Sequence, residues 1–289
     1  MPATNSPAPV PSAGNGKALL AALGLGRMGT AIANRLAGSG FEVTRWNRDG
    51  NLDSAAKTRL AEALAGASVV VMSLYDGRAC IEVSELVQPQ LAPDALVINT
   101  STIAPSEAKL LDSFFTSNKI IYAQAPVMGS VPAINTGTAT VILGGAPTAI
   151  DRARPVLAAF SQAQLEFDSA EAAAAAKLVS NHALAEVLLA IRQALVVSGQ
   201  LGLPIDRILD VLELGPLAPI VKGKRARLEG QNEFSAADAT LAGLIKDLEL
   251  AAEVSPAAAA ANLKLQQLVR ELRIDPGADI AELPRSAIC

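Results

Sequence analysis

Seven short apolar runs punctuate the first half of the chain, at 18–23, 41–46, 68–74, 95–99, 120–125, 140–143 and 164–167. Most are separated by 10 to 17 residues whose apolar positions recur at helical spacing. Strands alternating with helices of that length are the signature of βαβ crossovers, so the pattern predicts a largely parallel sheet over 17–168. Beyond Asp168 the strand signals stop. Residues 169–199 read as one helix, with Ser169 as N-cap and Gly199 or Gly202 as stop. At 1.5 Å per residue such a helix runs roughly 45 Å, longer than one small domain needs. It is therefore expected to link two domains and to pack against another subunit. The remainder, 204–283, reads as all-helical, broken at Gly215-Pro216, Gly230, Pro256 and Pro276-Gly277. The alanine runs 172–176 and 257–261 are helix formers.

Composition narrows this picture. A chain of 289 residues accommodates about two domains. Apolar residues make up 51% of it and aromatics only 3%, which points to closely packed helices rather than a core of large rings. A net charge of -4 argues against nucleic acid, whose recognition needs clustered positive charge. Two cysteines, Cys80 and the terminal Cys289, cannot build a disulfide framework, so a reducing cytoplasm is expected. With no uncharged apolar run of about 18 residues, no membrane span is expected. The segment 1–16 is rich in Pro, Ala, Ser and Asn and lacks the basic and apolar regions of a signal peptide, so it reads as a disordered tail. The expected organisation is thus a tail (1–16), a nucleotide-binding domain (17–168) and an all-helical domain for substrate binding and dimerisation (169–289).

The first apolar run leads straight into Gly24-Leu25-Gly26-Arg27-Met28-Gly29, and a helical pattern follows from Thr30. A strand, a glycine turn and a helix in this order make a dinucleotide-binding unit. Gly24 permits the tight turn, Gly26 lets the backbone approach a pyrophosphate, and Gly29 lets helix and strand pack closely. The helix N-terminus then offers N–H groups and a positive dipole end to the phosphates. A bare GxGxxG also arises in ordinary glycine-rich turns; its place between strand and helix gives it meaning. The end of the second strand distinguishes NAD from NADP, since NAD sites place Asp or Glu there and NADP sites supply a cation. Here the strand ends in Asn47-Arg48, and Arg48 can meet a phosphate as a fork. The plain alternative is a surface arginine, and Asp49 follows directly. The reading favours NADP(H).

Five motifs in order carry a resemblance. They are the glycine turn with Trp46-Asn47-Arg48; Asn99-Thr100-Ser101-Thr102-Ile103-Ala104-Pro105, similar to D-x-S-T-x-x-P; Ala125-Pro126-Val127-Met128-Gly129-Ser130 with Ala133 and Gly137-Thr138; Lys177-x-x-x-Asn181; and Lys246-Asp247-Leu248-Glu249-Leu250-Ala251, similar to K-D-L-x-L-A. Over about 19–283 the chain resembles the β-hydroxyacid dehydrogenase family, which includes 3-hydroxyisobutyrate dehydrogenases and glyoxylate/succinic semialdehyde reductases. The resemblance implies a Rossmann-type doubly wound α/β sheet, then a long interdomain helix and an all-α C-terminal domain. It also implies a homodimer or a dimer of dimers, a small carbonyl or hydroxy acid as substrate, and no metal.

Reducing a carbonyl with NADPH needs a hydride at carbon and a proton for oxygen. The resemblance puts Lys177 at the catalytic position. Asn181, four residues on, shares its helix face, where Ala173, Leu184 and Leu188 are small or apolar. An ammonium in a partly dry cleft has a lowered pKa, toward the range useful for acid catalysis. Asn181 would hold the substrate or aim the lysine. His182, the single histidine, points roughly 100° away and reads as structural. Lys246 is either a surface lysine paired with Glu249 or Glu253 or, as the resemblance implies, a group over the nicotinamide. The resemblance further implies cofactor contacts at Ser73 and Leu74 and a place for Thr102 near nicotinamide and substrate; Arg78 is a weaker candidate. The family usually reads V-S-G-G where this chain has Val127-Met128-Gly129-Ser130. Met128 removes a hydroxyl and adds a flexible apolar side chain, while the N–H groups of Gly129 and Ser130 remain for an anion. That departure is either neutral or the mark of a larger, less acidic substrate. The alternatives are an imine reductase, which generally lacks this lysine, and a non-catalytic NADP-binding scaffold.

Overall fold

A computed structural model describes residues 19–48, 54–230 and 237–287. The tail expected over 1–16, Asp49 and Cys289 lie outside the described residues. The chain divides into two compact units, one ending at Lys177 and the other beginning at Leu178.

The first unit is α/β. Strands β1 (Leu19–Leu23), β3 (Val69–Met72) and β4 (Leu96–Asn99) are buried at nearly every position, as strands covered on both faces must be. With β2 (Glu42–Trp46) and β5 (Ile121–Gln124) they form a parallel sheet in the order β2-β1-β3-β4-β5. Helices α1 (Arg27–Gly38), α2 (Ser54–Leu64), α3 (Gly77–Val87) and α4 (Pro105–Ser117) lie between consecutive strands. Side chains alternate across the pleat into two cores. Leu20, Ala22, Val69, Val71 and Ile98 enter one with α1 and α6 (Pro147–Leu157); Ala21, Leu23, Val70, Met72 and Val97 enter the other with α2, α3 and α4. The sheet is doubly wound, as the family resemblance implies.

Its far side departs from simple parallel pairing. Strand β7 (Ala139–Gly145) runs antiparallel to β5 and to the two-residue β6 (Val127–Met128), and parallel to β8 (Ser161–Phe167). Neither β6 nor the short helix α5 (Val131–Thr136) is among the sequence-based expectations, because so few residues carry no periodicity.

Helix α7 (Ala170–Gln200) spans 31 residues. Ser169 caps it, its Oγ accepting the Ala172 N–H at 3.1 Å. Past its end Gly202 takes a left-handed φ of +66°. By length and composition α7 is the one described helix that would reach across a bilayer, which the sequence reading did not anticipate. One part of its apolar surface is engaged in protein cores: Ala170 and Ala174 in the first unit, Ala185, Leu188, Ile191 and Leu195 in the second. The second unit adds α8 (Ile205–Leu212), α9 (Ala218–Leu228), α10 (Leu241–Ala252), α11 (Pro256–Glu271) and α12 (Glu282–Arg285). Asp279, 3% exposed, organises the approach to α10 by accepting from Lys224 Nζ at 3.0 Å and from the Asp238 N–H at 2.8 Å. Burial alone would raise its pKa, but the Ala281 N–H and Lys224 hold the carboxyl below its ordinary value.

The turn from β1 to α1 is closely packed. Gly24 has φ +88°, and a Cβ there would stand 2.4 Å from the Ser73 carbonyl oxygen. At Gly29 a Cβ would stand 1.9 Å from the Gly24 carbonyl oxygen. Gly26, at the helix N-cap, differs: a Cβ would meet nothing within 4 Å. Accordingly, Gly29→Ala should cost about 3 kcal/mol or more by overpacking, whereas Gly26→Ala should cost within about 1 kcal/mol. Denaturant unfolding of the two variants checks this; equal losses would remove the distinction.

Candidate active site

The candidate residues of the first unit gather at the carboxyl ends of its parallel strands, where open α/β sheets bind ligands. Gly24 donates its N–H to the Trp46 carbonyl at 2.9 Å, and Leu25 donates to Asn47 Oδ1 at 3.0 Å. The amide of Asn47 thus pins the glycine turn itself. Thr30 Oγ1 returns a bond to the Leu25 carbonyl at 2.9 Å. Arg27 is exposed and Met28 half-buried in the first turn of α1. The open space at Gly26, at the N-terminus of a 12-residue helix, fits a pyrophosphate.

Ser73 and Leu74 follow β3. Thr100 Oγ1 donates to the Met72 carbonyl at 2.9 Å, so in its 2.6 Å contact with Ser73 Oγ the serine is the donor. The Leu74 N–H donates to Ser101 Oγ at 2.8 Å. Ser101 is in turn fixed by a closed polar circuit. Its N–H donates to Asn99 Oδ1, Asn99 Nδ2 to the Tyr122 hydroxyl, Tyr122 to Gln124 Oε1 at 2.6 Å, and Gln124 Nε2 back to the Ser101 carbonyl at 2.9 Å. Asn99 and Gln124 are fully buried, so each bond made here avoids the cost of an orphaned polar group. Beside Asn99, burial pushes the Cys80 thiol up to about 11, which keeps it neutral near pH 7. Thr102, half-buried, is the next residue after this fixed turn. Sequence reasoning did not assign Tyr122 or Gln124 a part. The available signal was the polar Gln124 ending an otherwise apolar strand.

Arg48 stands two residues beyond β2 with its side chain 41% exposed, and its Nη1 lies 3.0 Å from Glu82 Oε2 on α3. Arg78 reaches the same carboxylate, Nε to Oε1, at 2.9 Å. The Arg78 hydrogen bond, with smaller help from Arg48, holds the Glu82 carboxyl below its ordinary pKa. Two guanidiniums from different elements therefore share one anion. Met128, Gly129 and Ser130 sit elsewhere, at the end of β6 and the start of α5, with Gly129 exposed.

Lys177 and Asn181 are one helical turn apart on α7, the lysine half-buried. Asn181 is 7% exposed and donates from Nδ2 to Asp247 Oδ2 at 2.6 Å. Asp247 is itself buried, and its other oxygen lies 2.6 Å from Lys246 Nζ, an ion pair rather than a well-directed hydrogen bond. The structure thereby brings Asn181 and Lys246 together through Asp247. Lys246 is only 16% exposed and pairs with its neighbour Asp247. Asp247 is a site residue that the sequence reading quoted within a motif without giving it a part. Its signal was a carboxylate among Leu244, Leu248 and Ala251, all buried on the same helix. His182 is half-buried and its Nδ1 has no hydrogen-bond partner.

Comparison with known proteins agrees with this geometry. Residues 19–174 match the family described as the NAD binding domain of 6-phosphogluconate dehydrogenase. A probable 3-hydroxyisobutyrate dehydrogenase of Mycobacterium tuberculosis is 30% identical over 200 residues, 67% of this chain and 68% of that protein. The structure of the Mycobacterium tuberculosis 3-hydroxyisobutyrate dehydrogenase with L-serine superposes with a TM-score of 0.79 at 25% identity, covering 94% of this chain and all of that one. The imine reductase of Myxococcus stipitatus in complex with NADP+ shares the fold, at TM-score 0.59 and 20% identity over 92% of this chain and 98% of its own. A glycine turn built for a dinucleotide, the ordered motifs and these likenesses converge: the chain belongs to the β-hydroxyacid dehydrogenase family of NAD(P)-dependent oxidoreductases acting on CH–OH groups.

Proposed function

We propose that this protein is an NADPH-dependent reductase of a small aldehyde or ketone, working reversibly on the matching hydroxy acid, with Lys177 as proton donor. The observation that carries the reading is the Lys177–Asn181 turn of α7, whose asparagine is held by the buried Asp247. The bound nicotinamide cofactor supplies the hydride. Lys177 holds a proton at Nζ for the carbonyl oxygen during reduction and takes it back during oxidation. Asp247 receives the Asn181 amide N–H and so fixes the amide that orients the lysine or the substrate. Met128 offers an apolar side chain beside the backbone N–H groups of Gly129 and Ser130, which suits a substrate with both an anionic and an apolar end. Lysine at position 177 favours carbonyl reduction over imine reduction.

Lys177→Ala should lower kcat for NADPH-driven reduction by about 10²- to 10⁴-fold while NADPH binding stays within about twofold. The measurement is NADPH oxidation with semialdehydes, glyoxylate and cyclic imines; carbonyl reduction at wild-type rate would refute the assignment. For the cofactor, Arg48 is read as the cation for the 2′-phosphate. Arg48→Ala should raise the Kd for NADPH about tenfold, as loss of a charge-assisted contact implies, with little change for NADH. Equal losses for the two dinucleotides would count against it.

The proposed assembly is a homodimer through α7. Val179, Ala183, Ala190, Val197 and Leu201 form an exposed apolar stripe, with Val179 69% and Leu201 67% exposed. Light scattering should give at least twice the chain mass, and a charged substitution at Ala190 should shift the population toward monomer; a monomeric wild type would end the proposal.

A further inference from the structure

NAD sites of this fold place a carboxylate at the end of the second strand to hold the ribose hydroxyls. Here β2 ends at Trp46, and the next side chain, Asn47, is engaged by the Leu25 N–H. Among the described residues the carboxylate that stands at this edge comes from another element: Glu82, on the second turn of α3, bonded to Arg48 at 3.0 Å and to Arg78 at 2.9 Å.

The chemistry of this cluster cuts two ways. A ribose 2′-hydroxyl is a hydrogen-bond donor and finds an acceptor in a carboxylate. A ribose 2′-phosphate finds two guanidiniums, but both already share an anion. Arg48 uses Nη1 and Arg78 uses Nε toward Glu82, and a guanidinium carries five N–H donors, so each fork retains others for a second anion. That anion would share its cations with a carboxylate of like charge. Two cations against one anion leave the cluster at +1; without the carboxylate charge it would be +2. All three side chains are at least a third exposed, and the pairs between them are correspondingly weak and open to exchange.

We propose that Glu82 sets the balance between the two dinucleotides, drawing the site toward NAD(H) against the pull of Arg48 and Arg78 toward NADP(H). It supplies from α3 the acceptor that β2 lacks, and it occupies on Arg48 a place that a phosphate would take. The inference rests on the reading of Arg48 as the phosphate cation.

The test uses the adenosine halves of the cofactors, so that no turnover is needed. ADP and adenosine 2′,5′-bisphosphate are titrated calorimetrically into the full-length protein and its Glu82→Gln, Arg48→Ala and Arg78→Ala variants, each checked for wild-type thermal unfolding. Glu82→Gln should move the ratio of the two Kd values toward the bisphosphate by about fivefold, the scale of one exposed ion pair, with ADP bound more weakly. Arg48→Ala and Arg78→Ala should move it the other way. A ratio in Glu82→Gln within about twofold of wild type, or a shift toward ADP, overturns the proposal. If Arg48→Ala shifts the ratio and Glu82→Gln does not, Glu82 alone is misassigned. If Arg48→Ala does not shift it, the phosphate reading falls and takes this inference with it.

Discussion

The carboxyl edge of the first unit depends on a steric constraint, the missing Cβ at Gly29. That absence lets α1 begin in contact with the Gly24 carbonyl, where a methyl group would stand 1.9 Å away. With helix and turn this close, Ser73 at the end of β3 lies against both glycines. The serine meets Thr100 at the end of β4, and Leu74 meets Ser101. Three strand ends are thus tied at one edge by short polar contacts, each of which requires the one before it to be in place. The same turn presents the Leu25 N–H to Asn47, which settles where the chain leaves β2 and hence where Arg48 stands.

Polar groups below this edge are satisfied in closed sets. Asn99, Tyr122, Gln124 and Ser101 form a ring of hydrogen bonds whose members are at most 4% exposed. Such networks are rigid because breaking one bond leaves a buried partner without an alternative. Asparagine in place of the family's aspartate suits this position, since a neutral amide can both donate to Tyr122 and accept from Ser101. The second unit repeats the principle with charge: Asp247 serves Asn181 and Lys246, and Asp279 serves Lys224 and the backbone N–H groups of Asp238, Ala239 and Ala281.

The fold was legible in the sequence where one physical demand dominated. β1, β3 and β4 are buried on both faces, so their composition is nearly all apolar. The cap at Ser169 and the stops at glycine and proline carry their own stereochemistry and read directly from residue type. β6 was illegible because two residues have no period, and the antiparallel turn of β7 because direction is set by pairing rather than by composition. At the site, residues identified by a motif were easier to find than residues identified by a partner. Asn47 and Arg48 stand out in sequence, but nothing local tells that the first holds the Leu25 N–H or that Glu82, 34 residues on, meets the second. Asp247 was visible as a letter in a motif; its role appears only when α7 and α10 are seen joined by its carboxylate.

The division between the two units falls inside α7, after Lys177, and not in a loop. Most domain boundaries lie in linkers that can be cut or lengthened without exposing backbone polar groups. A cut at this one would leave about four carbonyls on the first fragment and four N–H groups on the second without helical partners. An inserted residue would rotate everything beyond it by roughly 100° about the helix axis and carry Asn181 off the face it shares with Lys177. A swap or fusion made at this boundary must therefore keep the residue count of α7 intact.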